Sequence, residues 1–347
     1  MHLLFITQKV DRADWLLGFT HGWLRALAKQ VNRLTVICLM QGETDLPPNV
    51  RVISLGKERG VSRLARAIRF GQAMAASISE ADGVLAHMSP TFAIAAAPFA
   101  KLRHLPLIMW YTHRHVDFKL RLATALCDAI VTASLESFRL PTPKLKVLGH
   151  GIDPEQFFPS ETRLPTKPPL LLAVGRLSPI KRYELLIAAV KLLRTRRVPF
   201  HCAIAGEAPP GGDSYAASLR TLAEGQVEFL GAVPHEAIPL WYHRSALAVN
   251  LCPTGGLDKA VLEALFCARP VVVTNQSFAP LLGEMSEKWL VKEEVFIIAA
   301  TIESILANPA EANMQAVTLM KRATAAHGLE RLAEKLVEVF ASINSLK

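Results

Sequence analysis

The stretch LLLAVGRLSPIKRYELLIAAV, residues 170–190, begins as an uninterrupted apolar run and, after a short polar loop, continues with apolar residues at helical spacing. A short apolar run that ends at a glycine is typical of a strand buried on both faces, as strands of a parallel sheet are. Gly175 ends this strand, and the helix begins at Tyr183. The pattern predicts a strand–loop–helix unit with Arg176 and Lys181 on the loop.

The same alternation of apolar runs and helical patterns repeats along the chain. Seven short apolar runs precede the Pro-rich stretch that ends near residue 169, and five follow it. We therefore predict an α/β protein with two Rossmann-like, doubly wound parallel-sheet domains and a ligand cleft at the carboxyl ends of the strands. The predicted parts are an N-terminal domain over 1–150, a linker over 151–168, a C-terminal domain over 169–328, and a helix over 329–347 that is expected to pack back on the first domain.

The composition excludes a disordered or fibrous protein, because 51% of the 347 residues are hydrophobic and only 20% are charged. The five cysteines are widely scattered, and the sequence has no HxxH, HExxH, CxxC or DxD signature, so we expect neither a disulfide framework nor a bound metal. The longest uncharged stretch, 83–100, contains Pro90 and Pro98, which favours a strand, a turn and a buried helix over a membrane span. The first residues run directly into a strand pattern without the features of a secretory signal, and we expect a cytoplasmic protein.

The loop after the strand 170–174 carries two cations where a diphosphate could bind. An Arg side chain can bind two phosphate oxygens at once, a Lys adds a point charge, and backbone N–H groups at a helix start point the same way. Arg176 and Lys181 supply these groups. An ordinary solvated loop is the alternative on this feature alone.

A second candidate site lies in NLCPTGGLDKAVLEALFCARPVVVT, residues 250–274, which has the pattern strand, glycine loop, helix, strand. Gly255 and Gly256 would allow the backbone to approach a ligand closely, and Asp258 could cap the helix that follows. Glu263 lies within that helix, where its carboxylate could accept hydrogen bonds from a ribose diol or could simply face solvent.

Together these segments resemble the retaining GT-B glycosyltransferases of family 4, the glycosyl transferases group 1, and the resemblance runs in order over nearly the whole chain. The second half carries it in VGRLSPIKRYELLIAAV, AIAGEAPPGG and VEFLGAVPHEAIPLWYHRSALAVNLCPT, and the first half in DGVLAHMSP, WYTHRH and HGIDPEQFFP. The resemblance implies the GT-B fold and a glycosyltransferase that moves a hexose-like sugar from a nucleoside diphosphate to a glycan or lipid-linked acceptor. The DK pair at Asp258 and Lys259, in the absence of a DxD signature, does not support a Mg-bridged donor, so we expect that no metal cofactor is required.

The resemblance further implies a role for each part of the donor site. The cations expected at the diphosphate are Arg176, Lys181 and Lys259. The ribose and the base are expected to contact Glu263, Gly206, Glu207, Leu230 and Val233. The transferred sugar is expected to contact Gly255, Gly256, Leu257 and Asp258.

Two catalytic candidates and an acceptor side also follow from the resemblance. His113 comes just after the apolar strand PLIMWY and is expected to contact the donor sugar and take part in handling the acceptor proton. Asp258 is the second catalytic candidate. On the acceptor side, the glycine pair usual in the family is replaced by QKVDRADWLLGF, and we expect Asp14, Trp15 and His21 to line it.

One departure from the family pattern bears on mechanism. The second Glu of the E-x7-E signature is present as Glu263, but the first falls on Gly255, so a carboxylate nucleophile is not expected. We expect instead a same-face transfer in which the leaving phosphate deprotonates the acceptor. The departure leaves two alternatives open: a catalytically silent nucleotide-sugar binding or scaffold protein, and another GT-B enzyme such as a sugar-nucleotide epimerase.

Positive charge is concentrated in the first half, which has 19 Lys+Arg and 12 Asp+Glu up to residue 155, against 20 and 18 in the remainder. A segment near residue 60 predicts an amphipathic helix with one basic and one apolar side: Arg59, Arg63 and Arg66 against Leu64, Ile68 and Met74. Such a helix could lie on the anionic inner face of a membrane, or it could pack its apolar side on the sheet and leave its arginines in solvent. Nucleic acid is not expected as a partner, because no binding module accompanies the charge.

Overall fold

The computed structural model describes residues 1–160, 166–253 and 255–345, and its framework is two sheets of parallel strands connected by helices. The predicted fold class, two parallel-sheet α/β domains, is therefore confirmed. Contacts divide the chain into two compact units. The first is Met1–Gly151 together with the segment that begins at His327, and the second is Ile152–Ala326. Part of the predicted linker, residues 161–165, lies outside the described residues.

The first unit contains seven strands and four helices before the chain enters the second unit. The strands are β1 His2–Val10, β2 Arg33–Gln41, β3 Val50–Ser54, β4 Gly83–His87, β5 Leu107–Trp110, β6 Ala129–Thr132 and β7 Leu145–Val147. The helices are α1 Phe19–Gln30, α2 Arg63–Ser77, α3 Pro90–Leu102 and α4 Phe118–Leu126. The strands lie in the order β3-β2-β1-β4-β5-β6-β7, and every neighbouring pair is parallel.

The second unit contains a five-stranded parallel sheet in the order β10-β9-β8-β11-β12. Its strands are β8 Leu170–Val174, β9 His201–Ala205, β10 Glu228–Gly231, β11 Ser245–Asn250 and β12 Val271–Val273. Its helices are α5 Tyr183–Thr195, α6 Asp213–Ala223, α7 Ile238–Arg244, α8 Lys259–Phe266, α9 Ala279–Leu282, α10 Ser286–Trp289, α11 Val295–Ala307 and α12 Pro309–His327. A final helix, α13 Leu329–Asn344, follows and packs against α1 of the first unit.

Alternation of side chains along the central strand explains why the first sheet is covered on both faces. Leu3 and Phe5 of β1 belong to one buried cluster, which α1 and α13 cover, whereas Leu4 and Ile6 belong to the other, which α2, α3 and α4 cover. Successive side chains of a strand point to opposite faces, so a continuous apolar run needs an apolar layer on each side.

The apolar side chains of α2 do not all pack on the sheet, as one of the two expectations for this helix required. Met74 is buried on the sheet, but Leu64 is 74% and Ile68 56% exposed. Leu64 lies about 180° around the helix from the buried Ala73, at 3.6 residues per turn. Small side chains around Met74 therefore form the packed face of α2, and its two larger aliphatic side chains face solvent.

No single helix among the described residues has the length and apolar character to cross a membrane. One bent pair, Val295–Ala307 with Pro309–His327, meets the length and composition criteria together, across a bend of 101°.

Candidate functional site

Two glycines bring the carboxyl ends of three strands of the second unit together. Gly175 follows β8 and Gly206 follows β9, both with φ +147°. A Cβ on Gly206 would lie 2.0 Å from the carbonyl oxygen of Gly175, so only a glycine permits this approach. The Gly206 N–H donates to the Gly231 carbonyl at 2.8 Å, at the end of β10. The predicted base-contacting positions thus lie at the carboxyl end of the sheet, beside the loop that carries the two cations.

The backbone also ties the predicted cation loop to this edge. The Leu177 N–H donates to the Glu207 carbonyl at 2.8 Å, and the Tyr183 hydroxyl donates to the Gly175 carbonyl at 2.9 Å. Glu207 is exposed, and Leu230 and Val233 are half-buried. The structure therefore brings Arg176, Gly206 and Glu207 together beside the end of β10, which carries Leu230; Val233 follows two residues after that strand.

Lys181 forms an ion pair with Asp258, and both side chains are largely buried, at 15% and 19% exposed. The same carboxylate accepts a hydrogen bond from the Asn250 amide at 3.0 Å and caps α8 through the Ala260 N–H at 3.3 Å. Burial raises the pKa of Asp258, but the Lys181 ammonium outweighs it and holds the pKa below its ordinary value. Asp258 is therefore ionised, and its carboxylate is already bound to Lys181, Asn250 and the Ala260 N–H.

The pKa of Lys181 shows the reciprocal balance. Burial lowers it, the Asp258 carboxylate raises it by more, and the charge of Arg176 acts against Asp258, with a net pKa above the ordinary value. Arg176 itself is exposed. The charge of Arg176 therefore acts on Lys181 within the same loop, and Lys181 is charged.

The loop that leads into α8 is held in place by two side chains from beyond β12. Asn275 donates to the Gly256 carbonyl at 3.1 Å, and Ser277 donates to the Gly255 carbonyl at 3.2 Å. Gly255 has φ +113°, a conformation that side-chain-bearing residues rarely adopt. The position at which the family carries its first Glu is thus built here for glycine, and Leu257, two residues on, is buried.

Glu263 belongs to a chain of hydrogen bonds that the sequence did not predict. The residue is 6% exposed, and its Oε1 accepts a hydrogen bond from His235 Nε2 at 3.2 Å. The Gln156 amide donates to His235 Nδ1 at 3.1 Å and to the His235 carbonyl at 2.9 Å. With Nδ1 accepting, the ring proton sits on Nε2 and points at the carboxylate. Glu263 is therefore not a solvent-facing glutamate, the alternative that the sequence left open.

Lys259 lies at the first position of α8, four residues before Glu263. Burial lowers the pKa of Lys259 to about 7, although the Glu263 carboxylate acts to raise it. At neutral pH this lysine therefore exists in both protonation states. A nearby anion would favour the charged form, as expected of the predicted diphosphate ligand.

The catalytic candidate of the first unit, His113, is exposed on the loop that follows β5. Its ring contacts the Tyr111 ring edge to face at 5.4 Å between centroids. The Tyr111 hydroxyl donates to the His115 carbonyl at 2.8 Å, which bends this loop ahead of α4. His113 therefore lies at the carboxyl edge of the first sheet, at a position compatible with ligand contact.

The three residues predicted for the acceptor side have different surroundings. Asp14 binds Lys9 at 2.5 Å and accepts hydrogen bonds from the Leu16 and Leu17 N–H groups at 2.9 and 2.7 Å. His21 is buried, and its Nε2 accepts from the Asp45 N–H at 3.0 Å, while burial lowers its pKa. Asp14 thus organises the loop after β1, in which Trp15 is half-buried, whereas His21 of α1 holds the loop between β2 and β3.

The comparisons with known proteins agree with this geometry. The family model described as Glycosyl transferases group 1 matches residues 168–308, the part that holds both glycine loops and both cations. The second domain belongs to the glycosyl transferases group 1 family. Over 171 residues the chain is 29% identical to WcaL of Escherichia coli (strain K12), a proposed colanic acid biosynthesis glycosyltransferase. WcaL of Salmonella typhimurium (strain LT2) is 28% identical over the same length.

The aligned region covers 46% of this chain and 41% of each WcaL protein, so the chain spans about two fifths of the length of the curated relatives it matches. Solved structures align over nearly its full length. HepE of Anabaena, in complex with UDP and glucose, gives a TM-score of 0.76 at 18% identity and covers 98% of this chain and 99% of its own. Sucrose-phosphate synthase from Thermosynechococcus elongatus gives 0.76 at 17% identity, covering 99% and 100%. The group 1 domain is thus part of a chain with the GT-B fold.

Proposed function

We propose that the protein is a glycosyltransferase that moves a sugar from a nucleoside diphosphate to a glycan or lipid-linked acceptor, with retention at the anomeric carbon. The observation that carries the proposal is the largely buried, charged Lys181 on the same loop as Arg176. This loop lies at the carboxyl ends of β8 and β9, where Gly175 and Gly206 allow the two backbones to approach closely. Cations at a strand end and a helix start are suited to bind a diphosphate.

Donor binding rearranges one ion pair. In the structure the Lys181 ammonium is held by Asp258. A diphosphate at the helix start would compete with this carboxylate for the ammonium, and Arg176 and the protonated form of Lys259 would share the added negative charge. Asp258, once released from Lys181, could accept hydrogen bonds from hydroxyl groups of the sugar, together with the 255–257 loop. These cations replace a bridging metal in our proposal, so transfer should not require one.

In this proposal the nucleoside lies along the carboxyl ends of β9 and β10. Glu263, oriented by His235, accepts hydrogen bonds from the ribose diol. The base contacts the turns at 206–207 and 230–233. HepE binds UDP, and its similarity supports a nucleotide donor of this general kind.

The chemical step needs no protein nucleophile. The acceptor oxygen forms a bond to the anomeric carbon on the face that the diphosphate leaves, the carbon–oxygen bond to the diphosphate breaks, and the acceptor proton passes to a leaving phosphate oxygen. The cations stabilise the negative charge that develops on the diphosphate, an effect worth about 3–4 kcal/mol per well-placed donor. We assign His113, on the loop after β5, the role of contacting the donor sugar and orienting the acceptor hydroxyl.

We place the reaction in the cytoplasm, at the inner face of a membrane, in the synthesis of a cell-surface polysaccharide or glycolipid. The relatives support this setting: WcaL is a proposed colanic acid biosynthesis enzyme, and WaaB, which has a TM-score of 0.65 at 13% identity, is a lipopolysaccharide outer core galactosyltransferase. We assign Trp15, Asp14 and His21 to the acceptor side.

The test begins with a thermal-shift screen of nucleotide sugars, followed by a transfer assay in EDTA with the sugar that binds. NMR of the product should show the anomeric configuration of the donor. The Arg176→Ala variant should lose at least about 100-fold in rate, whereas Arg197→Ala, which is exposed beyond the C-terminal end of α5, should not. An inverted product would contradict the mechanism. Donor binding without transfer would identify a binding protein, and conversion of the sugar without an acceptor would identify an epimerase.

A further inference from the structure

One face of the first unit has an unusual distribution of charge. The helices α2, α3 and α4 cover the same side of the seven-stranded sheet, and α3 contacts both of the others. None of the three contains an Asp or a Glu. Together they carry six cations: Arg63, Arg66, Arg69, Lys101, Lys119 and Arg121. We call this side the α2–α4 face.

Large apolar side chains are exposed on the same face. They are Leu64 (74% exposed), Ile68 (56%), Leu102 (80%), Phe118 (77%) and Leu122 (36%). They are distributed over three neighbouring helices, in the first two turns of α2 and α4 and the last turn of α3. The exposed groups therefore form a broad surface rather than a groove for one peptide segment.

The opposite face of the sheet provides an internal comparison. There α13 carries Glu330, Glu334 and Glu338, and ion pairs join Lys29 to Glu330 and Arg331 to Glu334, each at 3.0 Å. Within the described residues, neither α1 nor α13 exposes a large hydrophobic side chain. Both faces contribute a buried cluster on the sheet, so core packing alone does not explain why one face also combines cations with exposed apolar groups.

We propose that the α2–α4 face docks on an anionic phospholipid surface. Arginine and lysine side chains are attracted to anionic headgroups, and exposed Leu, Ile and Phe side chains can enter the boundary between headgroups and acyl chains. The helices themselves carry no carboxylate to be repelled by such a surface, and the adjacent Asp117 caps α4 through the Leu120 N–H at 2.8 Å. The charge excess of the first half of the chain favours this partner, and the apolar side chains favour it over nucleic acid, which would leave them in water.

The purpose of docking rests on the proposed function, because a membrane-bound enzyme would meet a lipid-linked acceptor at its first domain. The docking itself does not depend on that function. It can therefore be measured in the absence of any sugar donor.

The experiment is vesicle co-sedimentation of the full chain with phosphatidylcholine alone and with added phosphatidylglycerol. We expect binding only to the anionic vesicles, weakened by salt. The pairs Leu64→Gln with Phe118→Gln, and Arg63→Ala with Arg66→Ala, should each weaken it at least tenfold. The controls Met314→Gln with Leu222→Gln, which are exposed on the second unit, and Lys321→Ala with Arg331→Ala should leave it unchanged.

Several results would overturn the proposal. These are absence of binding to anionic vesicles, equal losses in the control variants, or binding that needs the arginines but not Leu64 and Phe118, which would indicate a general polyanion site. A dimer in light scattering that dissociates in the Leu64→Gln/Phe118→Gln variant would show that a second copy covers the face. UDP titration of the same variants should be unaffected; failure of the wild-type protein to bind UDP would count against the proposed function and leave the vesicle result to decide the docking.

Discussion

The ion pair between Lys181 and Asp258 can be tested by replacing Asp258 with Asn. The Asp258→Asn change keeps the size of the side chain and its ability to cap α8, since Asn is as good a helix cap as Asp, and removes only the charge. Lys181 then remains largely buried without a counter-charge. Breaking a buried ion pair from one side costs about 3–5 kcal/mol. We expect a loss of about 3 kcal/mol, because both side chains are partly exposed.

The pH dependence gives the sign of the effect. The pKa of Asp258 lies below its ordinary value of 3.8, so the pair stabilises the protein above that pH and the contribution is lost as the pH falls through the lower folded-state pKa. The difference in unfolding free energy between wild type and Asp258→Asn should therefore be full at pH 7 and disappear in strong acid.

Urea unfolding measures this difference, and Asp213→Asn is the matched control. Asp213 is an exposed carboxylate in the first turn of α6, and its replacement should change the unfolding free energy by less than about 0.5 kcal/mol. The function should respond in two directions: UDP should bind more tightly to Asp258→Asn, because Lys181 has lost its competitor, whereas transfer should slow, because the sugar has lost a ligand. Equal stability of both variants at pH 7, or weaker UDP binding, would refute this reasoning.

Three further predictions concern the same domain. Because the pKa of Lys259 falls to about 7 on folding, the unfolded chain binds more protons above that pH, so Lys259→Met should raise the unfolding free energy most at pH 6 and progressively less toward pH 10; a gain independent of pH would be inconsistent with the burial of a titrating lysine. His235→Ala should weaken UDP binding about tenfold by calorimetry, roughly the worth of one hydrogen bond to a charged group, whereas the control His243→Ala should not, and equal affinities would remove His235 from the account. Gly255→Glu, which restores the family residue, should not raise the transfer rate, because φ +113° costs a side-chain-bearing residue about 1–2 kcal/mol; a faster enzyme would show that the loop readily adopts another backbone.

Most of the strands could be predicted from the sequence because burial on both faces imposes continuous apolar runs. LLLAV at 170–174 coincides with β8 as the structure has it. β1 extends beyond the predicted LLFIT, to Val10, because its pairing with β2 continues through Lys9, a polar residue that no apolar pattern includes. Hydrogen bonding, and not side-chain burial, sets that boundary.

The helix α2 shows where periodicity is ambiguous. Leu64, Ile68 and Met74 were expected on one apolar side, yet Met74 alone is buried. The face that packs on the sheet contains small residues such as Ala73 and Ser77, which carry little hydrophobic signal. A pattern based on the largest side chains therefore misassigns the buried face when the packing distance requires small ones.

Part of the candidate site follows from the local sequence, and part depends on residues that are distant along the chain. Arg176 and Lys181 lie on one loop, and their association with a helix start follows from the local sequence. The partners of these groups do not: Asp258 is 77 residues from Lys181, and Gln156 is 79 residues from His235. No spacing rule in a single sequence relates such positions, because the order of strands in the sheet determines which loops meet. The Gln156–His235–Glu263 chain could be found only in three dimensions.

The most direct test of the central claim is a calorimetric titration of UDP into wild type, Lys181→Ala and Lys191→Ala. Lys191 lies on the same unit and pairs with Glu224 at 2.7 Å on the surface, so its loss removes an equal charge away from the strand ends. We predict that wild type and Lys191→Ala bind UDP with the same affinity and that Lys181→Ala binds it at least about tenfold more weakly. Equal binding by all three proteins, or by none, would contradict the assignment of a diphosphate to this loop.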